Sequence, residues 1–503
     1  MSQDTYESSA ATATDALAIK SAGNTWWSRP CGGRDVMQIA LPMIISTSFT
    51  SLMHFIDRLF LTRVSVAAMN ASMQAGLAQW VSIAFAIGVV SYVNSFVAQY
   101  YGAKHEERIG ASVWQGIWLG IFLTPLYLLA IPLAPLLFGI VGHDAEAQTL
   151  EVTYFSILAW ASGPCVIATA MSAFFTGRGL TWVTMIVSGI AAVVNIVGDY
   201  ILIYDIFDTG VSPIAGAAIA TAAAHFTTVL VYGLWIYLPP SHARFGLTNW
   251  KIDFPLLGRL VRYGGASGAH MLVEGAGFTL LVMLVGRLGT VASTATSLAF
   301  SVNIIAFIPM VGLGIAISTI VGQQLGNNRA DLAERATWTG LTIGLAYSGT
   351  AALLYFFAPD LFLMAYEGGA DEANFAAIRG TVVILLRFVA LYFLFDTMQI
   401  VFACAIKGAG DTLFVMLAAG VVSFLGVTIG QIGSVYFDGG LYWWWSVMTA
   451  WLFALAAIYL ARFLHGGWRT MRVIEKQYAG EVSDPGNAPD DDTKPSPEVA
   501  EVV

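Results

Sequence analysis

Between Tyr263 and Gly289 runs an apolar and small-residue stretch, Y-G-G-A-S-G-A-H-M-L-V-E-G-A-G-F-T-L-L-V-M-L-V-G-R-L-G, with Glu274 near its middle. At ~1.5 Å rise per residue a helix over 263–287 covers about 36 Å. That is enough to cross the ~30 Å hydrocarbon core of a bilayer. A charge near the midplane costs about 2.5–3.5 kcal/mol on the insertion scale, and an acid kept there usually serves an ion or substrate path. The structural alternative is a protonated glutamic acid bonded to a neighbouring helix. Asp396, in V-A-L-Y-F-L-F-D-T-M-Q-I-V-F-A-C-A-I-K, also lies well inside an apolar stretch. Two carboxylates in a low-dielectric site share a proton or bind a cation.

The first half of the chain offers a second set. Asn195 and Asp199, in N-I-V-G-D, are four apart and therefore on one helix face. With Asp57 they make one amide oxygen and two carboxylates, suited to a hard cation such as Na⁺ or to a proton relay. For Asp57, which precedes Arg58, the structural alternative is an ion pair to another helix. For Asn195 it is an interhelical hydrogen bond.

The elements that must position these groups are membrane helices. Of the 503 residues, 57% are hydrophobic and only 11% charged, against about 25% charged in soluble proteins. Only helices or closed barrels satisfy their backbone in lipid, and the apolar runs here are of helical length. An all-α polytopic membrane protein is expected. The net charge of −9 is concentrated in residues 481–503, where Glu481, Asp484, Asp490, Asp491, Asp492, Glu498 and Glu501 face Lys494 alone. That tail has the composition of a disordered segment, and nothing basic enough for nucleic acid remains. The three cysteines Cys31, Cys165 and Cys404 show no paired spacing, so no disulfide or metal site is expected. The N-terminus lacks a basic region followed by an apolar run, so no signal peptide is expected.

Spanning runs fall near 36–62, 73–101, 110–139, 149–176, 181–204 and 213–238, then 259–286, 294–325, 333–364, 377–406, 412–436 and 440–465. Lys104, Arg108, Arg178, Arg244, Lys251, Arg259, Arg262, Arg329, Arg335, Lys407, Arg469, Arg472 and Lys476 flank one set of loops. The positive-inside rule makes that side, with both termini, cytoplasmic. The expected organisation is a cytoplasmic tail (1–35), a six-helix lobe (36–238), a cytoplasmic connector (239–258), a second six-helix lobe (259–466) and a cytoplasmic, largely disordered acidic tail (467–503). The inner or plasma membrane is the expected location.

The halves repeat. V-A-Q-Y-Y-G-A-K (97–104) matches V-G-Q-Q-L-G-N-N (321–328), and Arg63 with Arg287, Gly88 with Gly312 and Gly102 with Gly326 are each 224 positions apart. F-T-G-R-G-L-T (175–181) matches I-K-G-A-G-D-T (406–412) at an offset of 231. Six spans per half make the repeat a parallel one, two lobes related by an axis along the membrane normal around a central cavity. The acids break the symmetry: Glu274 corresponds to Thr50, Asp57 to Leu281 and Asp396 to Cys165.

This layout resembles the multidrug and toxic compound extrusion (MATE) family. So do A-L-P (40–42), the I-D of Asp57, V-x-Q-x-x-G after spans two and eight, G-R-L-G (286–289), F-I-P-M-x-G-L-G (307–314) and K-G-A-G-D-T (407–412). The resemblance covers about residues 35–470 and rests on the ensemble. It implies that Glu274 and Asp396 fall where the NorM-like branch places its C-terminal-lobe cation acids. It also implies that Asp57, Asn195 and Asp199 match the N-terminal-lobe site of the DinF-like branch, with Thr221 as a further member. Thr62 and Ser65 stand where glycines are usual around Arg63, and Arg58 where a small residue is usual.

The expected function is a Na⁺- or H⁺-coupled antiporter exporting organic, cationic or amphiphilic compounds, acting as a monomer in the bilayer without a cofactor. A lipid-precursor flippase of the same superfamily is the alternative. Such proteins usually line their cavity with basic residues, and Arg387, near the outer end of span ten, is the most nearly intramembrane one here. An intramembrane serine protease would need G-A-S-G (265–268), with Ser267, to meet His225 or His270. The duplicated frame gives no reason for that chemistry, so an enzyme is not expected. No lysine follows a glycine, which removes the phosphate-binding loop of an ATP-driven pump.

Overall fold

The computed structural model describes residues 25–141, 144–238, 240–364 and 372–478. The acidic run 481–503 and the first 24 residues lie outside the described residues. Among those described there are no strands. Twelve helices are long and apolar enough to cross a membrane: α1 (Gly33–Val64), α2 (Val66–Gly102), α3 (Glu107–Leu129), α4 (Ala145–Thr176), α5 (Thr181–Ile203) and α6 (Pro213–Tyr237), then α7 (Phe254–Gly286), α8 (Thr290–Gly326), α9 (Ala330–Phe357), α10 (Glu372–Ala409), α11 (Thr412–Tyr436) and α12 (Leu441–His465).

Local chemistry sets the ends. The Ser65 side chain accepts from the Ala68 amide at the start of α2, Asp144 from Ala147 at α4, and Asp253 from Leu256 at α7. Each satisfies one of the free first-turn donors. Gly466, in the left-handed region at φ 78°, stops α12. Three ends differ most from the apolar runs. The second span begins at Val66 rather than near 73. The third span stops at Leu129 rather than near 139, and Ala134–Val141 forms a separate short helix. The ninth stops at Phe357 rather than 364. Pro132, just past the third span, and Pro359, just past the ninth, fall at these breaks, and each disfavours helical geometry in the residue before it. Hydropathy continues through these prolines; the backbone does not.

Packing repeats as the sequence does. In the first half α2 and α3 pack on α4, α4 on α6, and α5 on both α1 and α6. In the second half α8 and α9 pack on α10, α10 on α12, and α11 on both α7 and α12. The halves meet where α1 and α2 cross α8 and α7. This seam has its own bonds. Gln99 donates to the Gly408 carbonyl at 3.0 Å and Gln323 to the Gly177 carbonyl at 2.8 Å. Glutamine and glycine are repeat partners in both cases, so one bond is the pseudo-symmetric copy of the other.

The chain beyond α12 does not leave the protein at once. Trp468 is buried in the second half's core, and Arg469 pairs with Glu334 of α9 at 2.6 Å. A few residues on, Val473 and Ile474 are buried in the first half's core, and the Val473 amide donates to the Gln99 Oε1 at 2.8 Å. Glu475 then accepts from Tyr100 at 2.5 Å, Arg259 at 2.5 Å and Arg108 at 3.2 Å, while Arg108 also holds Asp253 at 3.0 Å. Residues 467–478 thus strap the two halves together at the connector end, where the sequence suggested the start of a loose tail.

Partial burial pushes the Glu475 carboxyl upward, but Tyr100 and the two guanidiniums outweigh it and hold the group below the usual carboxylate range. A depressed folded value stabilises above the unfolded one, and the contribution is lost as pH falls through the carboxylate range. Glu475→Ala should therefore destabilise the detergent-solubilised protein by about 1–3 kcal/mol at neutral pH. Thermal melts of wild type and variant from pH 7 down to pH 4 check it: the gap should narrow on acidification.

Candidate functional site

The first-half cluster is assembled by α1, α5 and α6. Asp57 and Thr221 are 4% exposed, and Asn195 and Asp199 wholly buried. The four-residue spacing on α5 puts Asn195 and Asp199 on one face, as expected, and that face meets α1 and α6. Asn195 Nδ2 donates to Thr221 Oγ1 at 3.3 Å, and Thr221 Oγ1 donates to Asp57 Oδ2 at 3.4 Å. The Asp57 and Asp199 carboxyls lie close enough for their charges to repel. Buried Tyr154 of α4 sits beside the same group.

The accounting of donors is one-sided. Asp57 Oδ1, Asn195 Oδ1 and both oxygens of Asp199 are buried with no hydrogen-bond donor. An unsatisfied buried polar atom costs about 1–3 kcal/mol, more when charged. Two adjacent carboxylates without a counter-charge are worse still, so the cluster calls for a proton or a small cation. Its donor set is oxygen only, the choice of a hard cation over a soft one.

The second-half cluster is assembled by α7 and α10. Asp396 is 7% exposed, while the Glu274 side chain is 45% exposed, so the two acids differ in access to solvent. They lie close enough for their carboxyls to repel. Glu274 Oε1 accepts from Gln399 Nε2 at 3.0 Å, and His270 Nδ1 is 3.8 Å from Glu274 Oε2. Gln399 and His270 were not among the residues expected from sequence to hold an ion. Each carries a helical signal: Gln399 follows Asp396 by three positions and His270 precedes Glu274 by four, the spacings that share a face.

No lysine or arginine forms an ion pair with Asp57, Asp199, Glu274 or Asp396 among the described residues. Nor do three His, Cys, Asp or Glu side chains group there as a metal site. Arg387 lies over the Phe356 ring of α9 at 5.4 Å. Cys31, Cys165 and Cys404 are free thiols.

The model of the MatE family matches residues 42–201 and 266–432, one match in each half. The chain is 24% identical over 435 residues to a probable multidrug resistance protein NorM of Shewanella oneidensis, covering 85% of this chain and 93% of that protein. It is 26% identical over 401 residues to one of Bradyrhizobium diazoefficiens, covering 77% and 83%. The fold matches a crystal structure of MATE in the bent conformation with a TM-score of 0.77 at 19% identity, over 86% of this chain and 95% of that one. A eukaryotic MATE transporter gives 0.77 at 20% identity, over 90% and 98%. Two six-helix halves, each matched by the family's model, place the chain in the MatE family of membrane transporters.

Proposed function

We propose that this protein is a cation-coupled antiporter that exports small organic, cationic or amphiphilic compounds. The observation that carries the reading is the pair of acid clusters, one per half, each without a lysine or arginine partner. Acids of this kind bind Na⁺ or H⁺ and attract cationic cargo, whereas a pyrophosphate-linked lipid would need bases in their place. Two relatives, probable multidrug resistance proteins NorM, agree with export of unrelated organic compounds.

In this reading residues 36–238 and 259–466 move as two lobes and the connector end is cytoplasmic. The protein sits in the plasma (inner) membrane as a monomer. Inward flow of the coupling ion neutralises Glu274 and Asp396, and Asp57 with Asp199 in the other lobe, and releases cargo outward. Binding one ion must favour one lobe arrangement over the other, because a ligand shifts an equilibrium only by its differential affinity.

Transport of a fluorescent organic cation into proteoliposomes, under separate Na⁺ and pH gradients, tests the reading. Uptake driven by neither gradient would refute it. In the first lobe the expected effect is sharper. The double variant Asp57→Asn, Asp199→Asn should lose the dependence on the driving ion while still reaching the membrane, since amides are cheaper to bury than charges. If the site takes Na⁺, the lost component is Na⁺-dependent and persists at alkaline pH in wild type. If it takes H⁺, substrate affinity in wild type falls as pH drops, and Na⁺ makes no difference. A double variant with wild-type rate and unchanged ion dependence would leave the second-lobe acids alone.

A further inference from the structure

Gln399 is 2% exposed and stands on α10 one turn beyond Asp396. Its two ends differ. Nε2 donates to Glu274 Oε1 at 3.0 Å across the α7–α10 gap. Oε1 is buried and meets no donor. The amide's orientation is fixed by chemistry, because the reverse would set a carbonyl against a carboxylate. The result is a neutral oxygen, held in place from its other end, beside two acids.

We propose that Gln399 Oε1 is a ligand of the second-lobe ion site and biases it toward a Na⁺-like cation over a proton. This rests on the reading that Glu274 and Asp396 hold the coupling ion. A proton needs one carboxyl oxygen and an acceptor; Glu274 and Asp396 supply both unaided. A hard metal cation needs several oxygens at short range, and carboxylates, carbonyls and water are its usual set (by analogy with Ca²⁺ and Mg²⁺). A third carboxylate would supply an oxygen too, but one that a proton can take from the ion on acidification. A carboxamide adds the oxygen without the charge. Its NH₂ meanwhile tethers Glu274, the more exposed acid, across to α10, one helical turn from Asp396, so the amide and both acids belong to one neighbourhood before an ion arrives.

The test is equilibrium binding of ²²Na⁺ to the purified full-length protein in detergent at pH 8, for wild type, Gln399→Met, Gln399→Glu and the pair Glu274→Gln, Asp396→Asn. Met is unbranched and of similar size but has no carbonyl. Gln399→Met should bind Na⁺ at least about tenfold more weakly. Gln399→Glu restores oxygens and should bind within about threefold of wild type at pH 8, then lose that affinity on acidification. Wild-type affinity in Gln399→Met, with Glu274→Gln, Asp396→Asn defective, would overturn the inference and leave the underlying reading standing. Wild-type affinity in Glu274→Gln, Asp396→Asn would overturn the reading itself. Equal loss in Gln399→Met and Gln399→Glu, both monodisperse and with unshifted melting, would mean that the NH₂ merely holds Glu274, and would also overturn the ligand role. Should Gln399→Met fail to fold, the Gln399→Glu result at the two pH values decides alone.

Discussion

Asp396→Asn is expected to fold, reach the membrane and lose gradient-driven export. Asp396 is 7% exposed and within repulsive reach of Glu274. Its value to the protein lies in changing charge as the ion arrives, which an amide cannot do. The amide is cheaper to bury than the carboxylate, so insertion should not suffer. Glu274→Gln should behave alike, with one difference. Its side chain is half-exposed and anchored by Gln399, so the variant keeps an acceptor for that bond and the local geometry should hold. Coupling between two ligands of one protein typically runs to 1–3 kcal/mol, so each variant should cut concentrative export by about 5–150-fold. Downhill equilibration of the same substrate should fall less. Proteoliposome transport at matched protein density checks both, and wild-type export by both variants would reject the second-lobe acids as the coupling site.

Much of this architecture is readable from composition and periodicity. Twelve apolar runs, the positions of Glu274 and Asp396 within two of them, and the shared face of Asn195 and Asp199 follow from residue types and helical spacing. What was not readable is long-range adjacency. The constant offset of 224 marks Gln99 and Gln323 as equivalent, but equivalence says nothing about contact. That each bonds a glycine carbonyl of the opposite half is a property of how the halves dock. Thr221 entered only by resemblance, because a threonine in an alanine-rich helix carries no periodic signal of its own. The strap is the sharpest case. Val473 bonds Gln99 from the far end of the chain, and a polar segment between the last span and an acidic run reads as the start of a loose tail in any local window. Gln399 is different in kind. It stands one helical turn from Asp396 and was available to spacing alone, but an amide in an apolar helix is more often packing glue than a ligand.

The seam gives the second large effect, and it is steric rather than electrostatic. A Cβ at Gly102 would collide with the Gln323 carbonyl, and one at Gly326 with the Gln99 carbonyl. Both obstacles are backbone, so no rotamer change relieves them, and the helices must part. The two collisions are repeat copies, which predicts matching effects from Gly102→Ala and Gly326→Ala. Overpacking of this kind typically costs 1–3 kcal/mol. Charged to the closed connector end alone, that shifts its population by about 5–150-fold. Transport needs both arrangements in turn, so export should drop by about tenfold or more while the rest of each half keeps its packing. Gly265→Ala and Gly349→Ala are the controls, since a Cβ there meets open space and alanine is the better helix former. A reporter separates a shifted seam from simple instability. Thr319 is wholly buried and accepts from Asn94 across the seam at 2.9 Å. In a background without Cys31, Cys165 and Cys404, Thr319→Cys should react slowly with a water-soluble maleimide applied from the connector side. Adding Gly102→Ala or Gly326→Ala should speed that reaction, and adding Gly265→Ala should not. Unchanged labelling and wild-type export in both seam variants would show that the halves do not have to close this tightly, and that the connector end opens and shuts on some other contact.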